Sequence, residues 1–556
     1  MTDESRQGSR GPARVVPLGL ASVLLAGALL VGVALGILLY GPSPQNERNF
    51  AEFEDPNLAT APGPADPGTL HKAQFGTETL YPEFTPGQRR YVTRCRAGGV
   101  EVWVNAFDGA TVQVEGNRPA AGEFQVEARP VLGQDFRIEV DGAGSRLDGS
   151  YSVRCLPAGF PDWSYERFRA PPRGIFTVAF RPWPTYLNDS WMIAFDQDGL
   201  PRWWKTTNVN ALWAEVLPGG RLVWGRGFGD GFGQDERTGI ELTDLTGRSN
   251  RLVTTVGTPN DSHEYVALPN GNSLVMSYRP RFGVDLTEYG LGPDEGVLDG
   301  EIQEVTPGGK VVWRWNSGEE IGLEQTPERW WEKIARNPHA DAAGRDRYDV
   351  FHLNSIQPIG RDLLLISARH ADAVFAISRR TGEVVWKFGG TPTEESLTLT
   401  GPDFRIDDPL SGGHDARLED GVLSIHDNGT LTGYPPRLVR YRIDPRAGTA
   451  RFLSQIDPPE EVTYSHCCGS ARSFGAGWLV SWGDSRVVAG YQANGRLAFE
   501  LGLAAPSYRA VPVPESVEPG IFERALDASE DAPGRPGRAI EEIGRLPSSE
   551  DGDGSG

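Results

Sequence analysis

Eight histidines are spread through the 556-residue chain, and three of them fall at one phase of an internal pattern. His263 stands 8 residues before Gly271, His352 stands 8 before Gly360 and His414 stands 7 before Gly421. Each precedes a glycine turn that opens a short apolar run. The local strings are Asp261-Ser-His-Glu-Tyr265, Asp349-Val-Phe-His-Leu-Asn-Ser-Ile356 and Gly412-Gly-His-Asp-Ala416. In the next copy the same phase falls on Gly469, just after His466, Cys467 and Cys468. Residues that share a phase in successive repeats meet on one ring if the repeats surround an axis. Gathered imidazoles can donate to an oxygen, shuttle a proton, attack an electrophile or bind a metal. Ser367-Ala-Arg369 follows the His352 hairpin, as His426-Asp-Asn-Gly429 follows the His414 hairpin. Arg369 at that place is either a planar receptor for an anion or half of a structural ion pair. The formal charge of −21 repels phosphate backbones and excludes a nucleic-acid partner. An anionic substrate would need a local positive pocket, and His and Arg supply one. His71, His339, His370, His426 and His466 read as structural or surface residues, with His370 and His426 nearest the expected mouth.

The elements that must hold this ring are legible as repeats. A turn followed by an apolar strand with an aromatic end occurs at Asp196–Trp203, Thr306–Trp313 and Arg380–Trp386, with weaker copies near 244, 444–452 and 493–499. A second element, a glycine turn and a Leu/Val-rich strand, alternates with it at residues 217–223, 268–275, 358–365, 418–424 and 474–480. Glycine supplies the turn geometry and the branched runs supply strands. One sheet cannot bury both of its faces alone, so such repeats stack around an axis. Residues 174–504 are therefore expected to form a six-bladed β-propeller, with seven the alternative count. Pro327 to Arg345 carries Trp330, Trp331 and Ile334 at helical spacing and reads as a helical insertion, and Pro392 to Pro409 reads as a long loop. Both precede histidines of interest and are either a lid or surface decoration.

The ends of the chain are different. Val15 to Tyr40 is uncharged and rich in Leu, Val, Ala and Gly. At about 1.5 Å per residue such a run spans a bilayer core. Arg6, Arg10 and Arg14 precede it and acidic residues follow, so residues 1–14 are expected in the cytoplasm and everything past residue 40 outside the cell membrane. A cleaved signal peptide is the alternative to this single-pass anchor. Residues 41–83 read as a Pro-rich linker, 84–158 as a small β-sandwich-like domain, and 511–556 as a disordered acidic tail. Overall the class is all-β, a small sandwich and a propeller behind an N-terminal transmembrane helix. Cys95 and Cys155, at the two ends of the small domain, are the expected disulfide in an oxidising compartment. Cys467 and Cys468 are either a vicinal disulfide or a reduced pair.

Taken in order, Asp349 to Ile356, Ser367-Ala-Arg369, Trp386-Lys-Phe-Gly-Gly390, His414-Asp-Ala416, Asp427-Asn-Gly429 and Gly469-Ser-Ala-Arg472 with Ser481-Trp-Gly483 resemble the arylsulfotransferase family, in its actinobacterial and fungal branch. The resemblance spans roughly residues 84 to 504 and is strongest from 261 to 483. It implies a six-bladed extracytoplasmic propeller that moves a sulfuryl group from a phenolic sulfate to a phenol without a nucleotide donor or cofactor. It also implies that His414 becomes transiently sulfated, while His263, His352 and Arg369 hold the sulfate and assist proton movement. Asn354 and Asn428, inside two of the matching strings, are the candidate substrate-binding amides. The chain departs from the enteric type of the family in its cysteine-bearing N-terminal segment and its adjacent cysteines. Three other readings remain: a non-enzymatic ligand-binding propeller, a quinoprotein-like enzyme suggested by Thr381–Trp386, and a zinc site on the three histidines, which Arg369 disfavours.

Overall fold

The computed structural model describes residues 74–528, apart from residues 86, 97–98, 107–108, 131–133, 143–147, 158, 182–188, 229–232 and 234. Among the described residues six sheets, three of four strands and three of five, each built on four antiparallel strands, follow one another along the chain and make a propeller-like all-β body. From the second sheet on, the innermost strand is the first of the four antiparallel ones: Asn210–Leu217 in the second sheet, Asn260–Ala267 in the third, Leu353–Ile359 in the fourth, His414–Glu419 in the fifth and Ser470–Phe474 in the sixth. Inner strands of the third to sixth sheets pack against their successors in turn. Their middle strands are buried on both faces, as in Ala373–Ser378, where every residue is buried. That is why these strands read as unbroken apolar runs rather than alternating ones.

The two repeated sequence elements have distinct places. The glycine turns lie between the first and second strands of a sheet, and the aromatic strands are the outer ones. Indoles on the outer strands reach the turn of the next sheet: Trp203 Nε1 donates to the Leu245 carbonyl at 3.0 Å, and Trp313 Nε1 to the Arg379 carbonyl at 2.8 Å. The tryptophans thus join neighbouring sheets as well as filling the space between them.

The first sheet lacks an inner strand of its own. Ala510–Pro512 supplies it by pairing antiparallel with Ile175–Phe180, while Trp163–Arg167 adds a fifth, outer strand to the sixth sheet. Both ends of the repeat region therefore close the ring of sheets. The expected boundaries of 174–504 omit both closing strands, because each is short and neither carries the glycine turn that marks the repeats. The expected disordered tail needs the same correction at its start. Helix α2 (Ile521–Ala528) buries Phe522, Ala525 and Leu526 in the cluster of the first sheet.

The small domain is a three-stranded sheet facing a four-stranded one. Its core holds Phe75, Val102, Phe136, Ile138, Tyr151 and Val153, and Asp135–Asp141 alternates strictly between exposed and buried residues. Cys95 and Cys155 are disulfide-bonded, as expected. The domain starts earlier than residue 84: strand Gln74–Gly76 lies in the stretch read as linker and buries Phe75. The expected transmembrane segment at 15–40, most of the linker and the tail after 528 lie outside the described residues. Among the described residues no helix is long and apolar enough to cross a membrane.

Candidate active site

The shared histidine phase is the start of the inner strand. His263 lies within Asn260–Ala267, His352 immediately precedes Leu353–Ile359, and His414 opens His414–Glu419. The rings of His263 and His352 meet edge to face, with centroids 4.9 Å apart. His370 lies 4.9 Å beyond His352, and the Tyr508 ring lies 5.4 Å from His263 and 6.1 Å from His414. An arc of imidazoles from three sheets is thereby closed on one side by a phenol.

Each imidazole has a fixed orientation. His414 Nδ1 donates to the Gly412 carbonyl and to Asn428 Oδ1, both at 2.8 Å. Asn428 is oriented in turn, because its amide donates to Ser465 Oγ at 2.7 Å and to the Cys468 carbonyl at 3.0 Å. The lone pair of His414 therefore sits on Nε2, where the backbone N–H of Cys468 donates at 3.2 Å. Burial, reinforced by the nearby Arg369 cation, holds His414 well below the usual imidazole range, so it is neutral. His263 Nδ1 faces Asp261 Oδ1 at 2.6 Å, and His352 Nδ1 bonds Asp349 Oδ2. His352 has φ +51°, a left-handed conformation fixed by its backbone N–H donating to the Asp349 carboxylate at 3.0 Å. Burial, then the neighbouring His263 and Arg369, also keep His352 well below its usual range.

Arg369 is 5 % exposed, and no carboxylate pairs with it among the described residues. Its Nη1 donates to His370 Nε2 and its Nη2 to the His466 carbonyl, both at 2.8 Å, while Nε has no partner. The guanidinium lies over the Trp330 ring at 4.8 Å. A buried cation held by neutral acceptors, with no carboxylate in direct contact, is suited to receive an anion. Asn354 acts behind His414: its amide donates to the Gly413 carbonyl at 2.8 Å, which fixes the turn before the histidine. Its Oδ1 is buried and unpartnered, an acceptor that suits an O–H rather than a sulfate oxygen.

Sequence reasoning missed part of this site. His370 is neutral through burial and links Arg369 to the Asp349 carbonyl, which its Nδ1 meets at 2.8 Å. Tyr508 is 7 % exposed, its hydroxyl has no partner, and burial raises its phenol well above the usual range. Lys333, on the inserted helix α1 (Glu328–Arg336), meets His466 Nε2 at 2.9 Å. The expected insertion thus reaches the site, because its Trp330 packs 4.6 Å from His370. His426 is not in the arc: it is fully buried behind it, faces Trp482 at 5.5 Å, and bonds through neither ring nitrogen.

Beside the arc lies a cluster of paired charges. Glu264 and Asp415, each next to a site histidine, bind Arg417, Arg472 and Arg509 at distances of 2.7–3.5 Å. All five are buried or nearly so. The floor's charges are thus paired among themselves, while Arg369 has no carboxylate in direct contact among the described residues. Asp349, His352 and His370 bring ligand-type atoms within 4.8 Å of one another. They do not fit a dication, because the Arg369 guanidinium occupies His370 Nε2 and adds like charge.

Residues 225–504 match the family described as Arylsulfotransferase (ASST). No curated protein matches the chain. Among solved structures, a periplasmic gluconolactonase from Pseudomonas aeruginosa is 14% identical over 61% of this chain and 100% of its own, with a TM-score of 0.34. Virginiamycin B lyase from Staphylococcus aureus is 11% identical over 62% of this chain and 100% of its own, with a TM-score of 0.29.

Proposed function

The chain belongs to the arylsulfotransferase family, and from that premise we propose that it carries a sulfuryl group from a phenolic sulfate to a phenol through a sulfohistidine on His414. The observation that carries this reading is the buried Arg369, with no carboxylate in direct contact among the described residues, beside a neutral imidazole whose lone pair is fixed on Nε2. The six sheets are read as six blades around that site. With residues 15–40 as an anchor, the site would face outward from the cell membrane.

Sulfuryl transfer resembles phosphoryl transfer in passing through a loose state with charge on the equatorial oxygens, so positioning and electrostatics dominate. Arg369 receives those oxygens, and the His263 and Tyr508 edges flank the opposite side. His414 Nε2 attacks sulfur as the S–O bond to the aryl oxygen breaks, and the aryl oxygen leaves as phenolate and takes its proton from water. The positive charge then carried by the sulfated imidazole is shared with Asn428 Oδ1 through Nδ1–H. In the second half the acceptor phenol attacks the same sulfur. His352, neutral and backed by Asp349, takes the phenol's proton and His414 departs. Trp330, fully buried beneath Arg369, backs the guanidinium and holds it in place.

The test is incubation of the purified protein with 4-nitrophenyl sulfate, with and without added phenol. Phenol-dependent nitrophenol release, an 80-dalton adduct (~80 Da, one sulfuryl group) on the His414 peptide, and loss of both in His414→Ala are expected. Arg369→Lys should lose about 100-fold despite keeping its charge, because one ammonium cannot replace the planar fork. Release that ignores phenol would make the protein a hydrolase, and no release from folded protein would make it a binding protein.

A further inference from the structure

We propose that Cys467 and Cys468 are a thiol–disulfide exchange site whose closure uncaps the His414 imidazole. The inference rests on the sulfuryl-transfer reading only for its consequence, since the contact between the pair and His414 stands by itself. The two cysteines are adjacent, partly exposed and unbridged, with sulfurs 2.6 Å apart. The peptide that joins them is the one that donates its N–H to His414 Nε2 at 3.2 Å. Its carbonyl, on Cys467, accepts from Ser465 Oγ at 3.2 Å. The next carbonyl, on Cys468, accepts from the same Asn428 amide that orients His414. The Cys468 N–H and carbonyl are therefore tied to the nucleophile and to the residue that holds it, and the Cys467 carbonyl to Ser465, on which Asn428 is anchored.

The surroundings leave one way for the pair to move. Cys468 has φ +68° and Gly469 has φ +104°. The Gly469 N–H is fixed to the Tyr508 carbonyl at 2.9 Å, and a Cβ there would lie 2.3 Å from His426. On the other side Gly483 lets the chain approach the Cys467 carbonyl so closely that a Cβ would lie 2.4 Å from it. With both flanks held, a bond between the sulfurs must be accommodated by the peptide between them. A disulfide between neighbours closes a ring of eight atoms that contains this peptide, and a disulfide brings its Cβ atoms to about 3.8 Å. Bonding draws the sulfurs from 2.6 Å to about 2.05 Å, and with both flanks held the planar peptide between them takes up that change. Closure therefore turns the peptide, and the Cys468 N–H leaves His414 Nε2. The dithiol form carries a capped nucleophile and the disulfide form an available one.

The exchange balances with an external disulfide as the sole co-reactant. The Cys467 thiolate attacks one sulfur of R–S–S–R, forming a mixed disulfide and expelling one RS⁻. The Cys468 thiolate, having given its proton to the expelled thiolate, then attacks the Cys467 sulfur and expels the second RS⁻, which is protonated by water. Two cysteine thiols are oxidised and one external disulfide is reduced to two thiols. The Cys467 thiol is the attacking one: its hydrogen bond with Cys468 lowers it, and Arg369 and Lys333 add positive charge, against burial and Asp484, which raise it. Cys468 is held well above its usual range.

The test equilibrates the full-length protein in glutathione buffers from fully reduced to fully oxidised. Alkylation and mass analysis count thiols on the 467–468 peptide, diethyl pyrocarbonate labelling measures the exposure of His414, and nitrophenyl sulfate turnover measures transfer. The expected result is a two-thiol loss on oxidation, with His414 labelled about fivefold faster and turnover about fivefold higher, the weight of one released hydrogen bond. Cys467→Ser should stay at the reduced values in every buffer. A pair that never oxidises in oxidised glutathione, or that oxidises without changing the labelling rate, overturns the proposal. Redox-dependent labelling without transfer to any phenol would uphold the exchange site while removing the sulfotransferase reading.

Discussion

At the residue scale the site depends on which nitrogen of His414 keeps its lone pair. Asn428 decides that, because an amide anchored on Ser465 and the Cys468 carbonyl can present only its oxygen to Nδ1. Asn428→Ala should lower the single-turnover rate of sulfation by about 10- to 100-fold, with donor affinity nearly unchanged, since Asn428 touches the imidazole and not the donor. Burial also sets the pH range of His414. An imidazole held well below its usual range stays an available base in mild acid. The acid limb of the sulfation burst is therefore expected well below the ordinary imidazole range rather than near 6.5. Stopped-flow bursts between pH 5 and 8 would show this, and a limb at 6.5 would mean that the nucleophile is solvated. Tyr508 permits a separate check. Its hydroxyl is buried without a partner, so Tyr508→Phe removes a desolvation cost and should not lower the melting temperature. If the hydroxyl donates to the transferring group, turnover falls by about 10-fold or more while stability holds. The three histidines were legible because each repeats a phase. Tyr508 was not, because it lies beyond the last repeat and no spacing relates it to the others.

At the element scale, helix α1 packs against the Arg369 and His370 end of the arc. Trp330, Trp331 and Ile334 bury one face of it, and Arg329 ties it to Asp372 and Asp408 with contacts of 2.6–2.7 Å. The 3.6-residue spacing of its apolar residues announced the helix. That Lys333 lies on the side facing Arg369 follows only from how the helix docks, which no local pattern encodes. Burial, and then the Arg369 cation, bring Lys333 down to about 7. His466 beside it is held at about 4, first by burial, and so stays neutral where Lys333 titrates. Lowering the pH through 7 therefore adds one positive charge at the mouth. KM for an aryl sulfate should fall about three- to fivefold between pH 8 and pH 6, a modest Coulomb gain for a partly solvated cation. Lys333→Met should flatten that dependence, and a wild-type slope retained in the variant would assign it to another group. The repeat turns were readable in the same way as the helix, through glycines and apolar runs. The closing strands were not: Ala510–Pro512 and Trp163–Arg167 are defined by their partners, far away in sequence.

At the scale of the whole molecule, one side chain joins the closing segment to the floor of the site. Arg509 precedes the closing strand and is 1 % exposed. It binds Glu264 of the third sheet at 3.0 Å, the Asn354 carbonyl of the fourth at 2.8 Å and Asp415 of the fifth at 3.5 Å. Burial alone would push the Asp415 carboxyl up, but Arg417, Arg472 and Arg509 outweigh it and hold it far below the carboxylate range. The floor is thus a set of charges that are tolerable only together. Arg509→Met removes one cation and strands part of the charge on two buried carboxylates, so it should destabilise the protein by about 3–5 kcal/mol. Without Arg509 the Asp415 and Glu264 carboxyls rise from their depressed values, so in acid the variant relieves its stranded charge by protonation, and the deficit should be full at pH 7 and shrink as pH falls through those raised values. Urea midpoints at pH 7 and pH 4, for wild type and variant, measure both effects. Arg524→Met, which breaks an exposed pair with Glu518 on the same C-terminal stretch, is the control and should leave the midpoint where it was. An Arg509→Met midpoint equal to that of the control would mean that the ring of sheets is held shut by its closing strands alone. A deficit that persists undiminished at pH 4 would mean lost packing around the guanidinium stem rather than lost charge compensation.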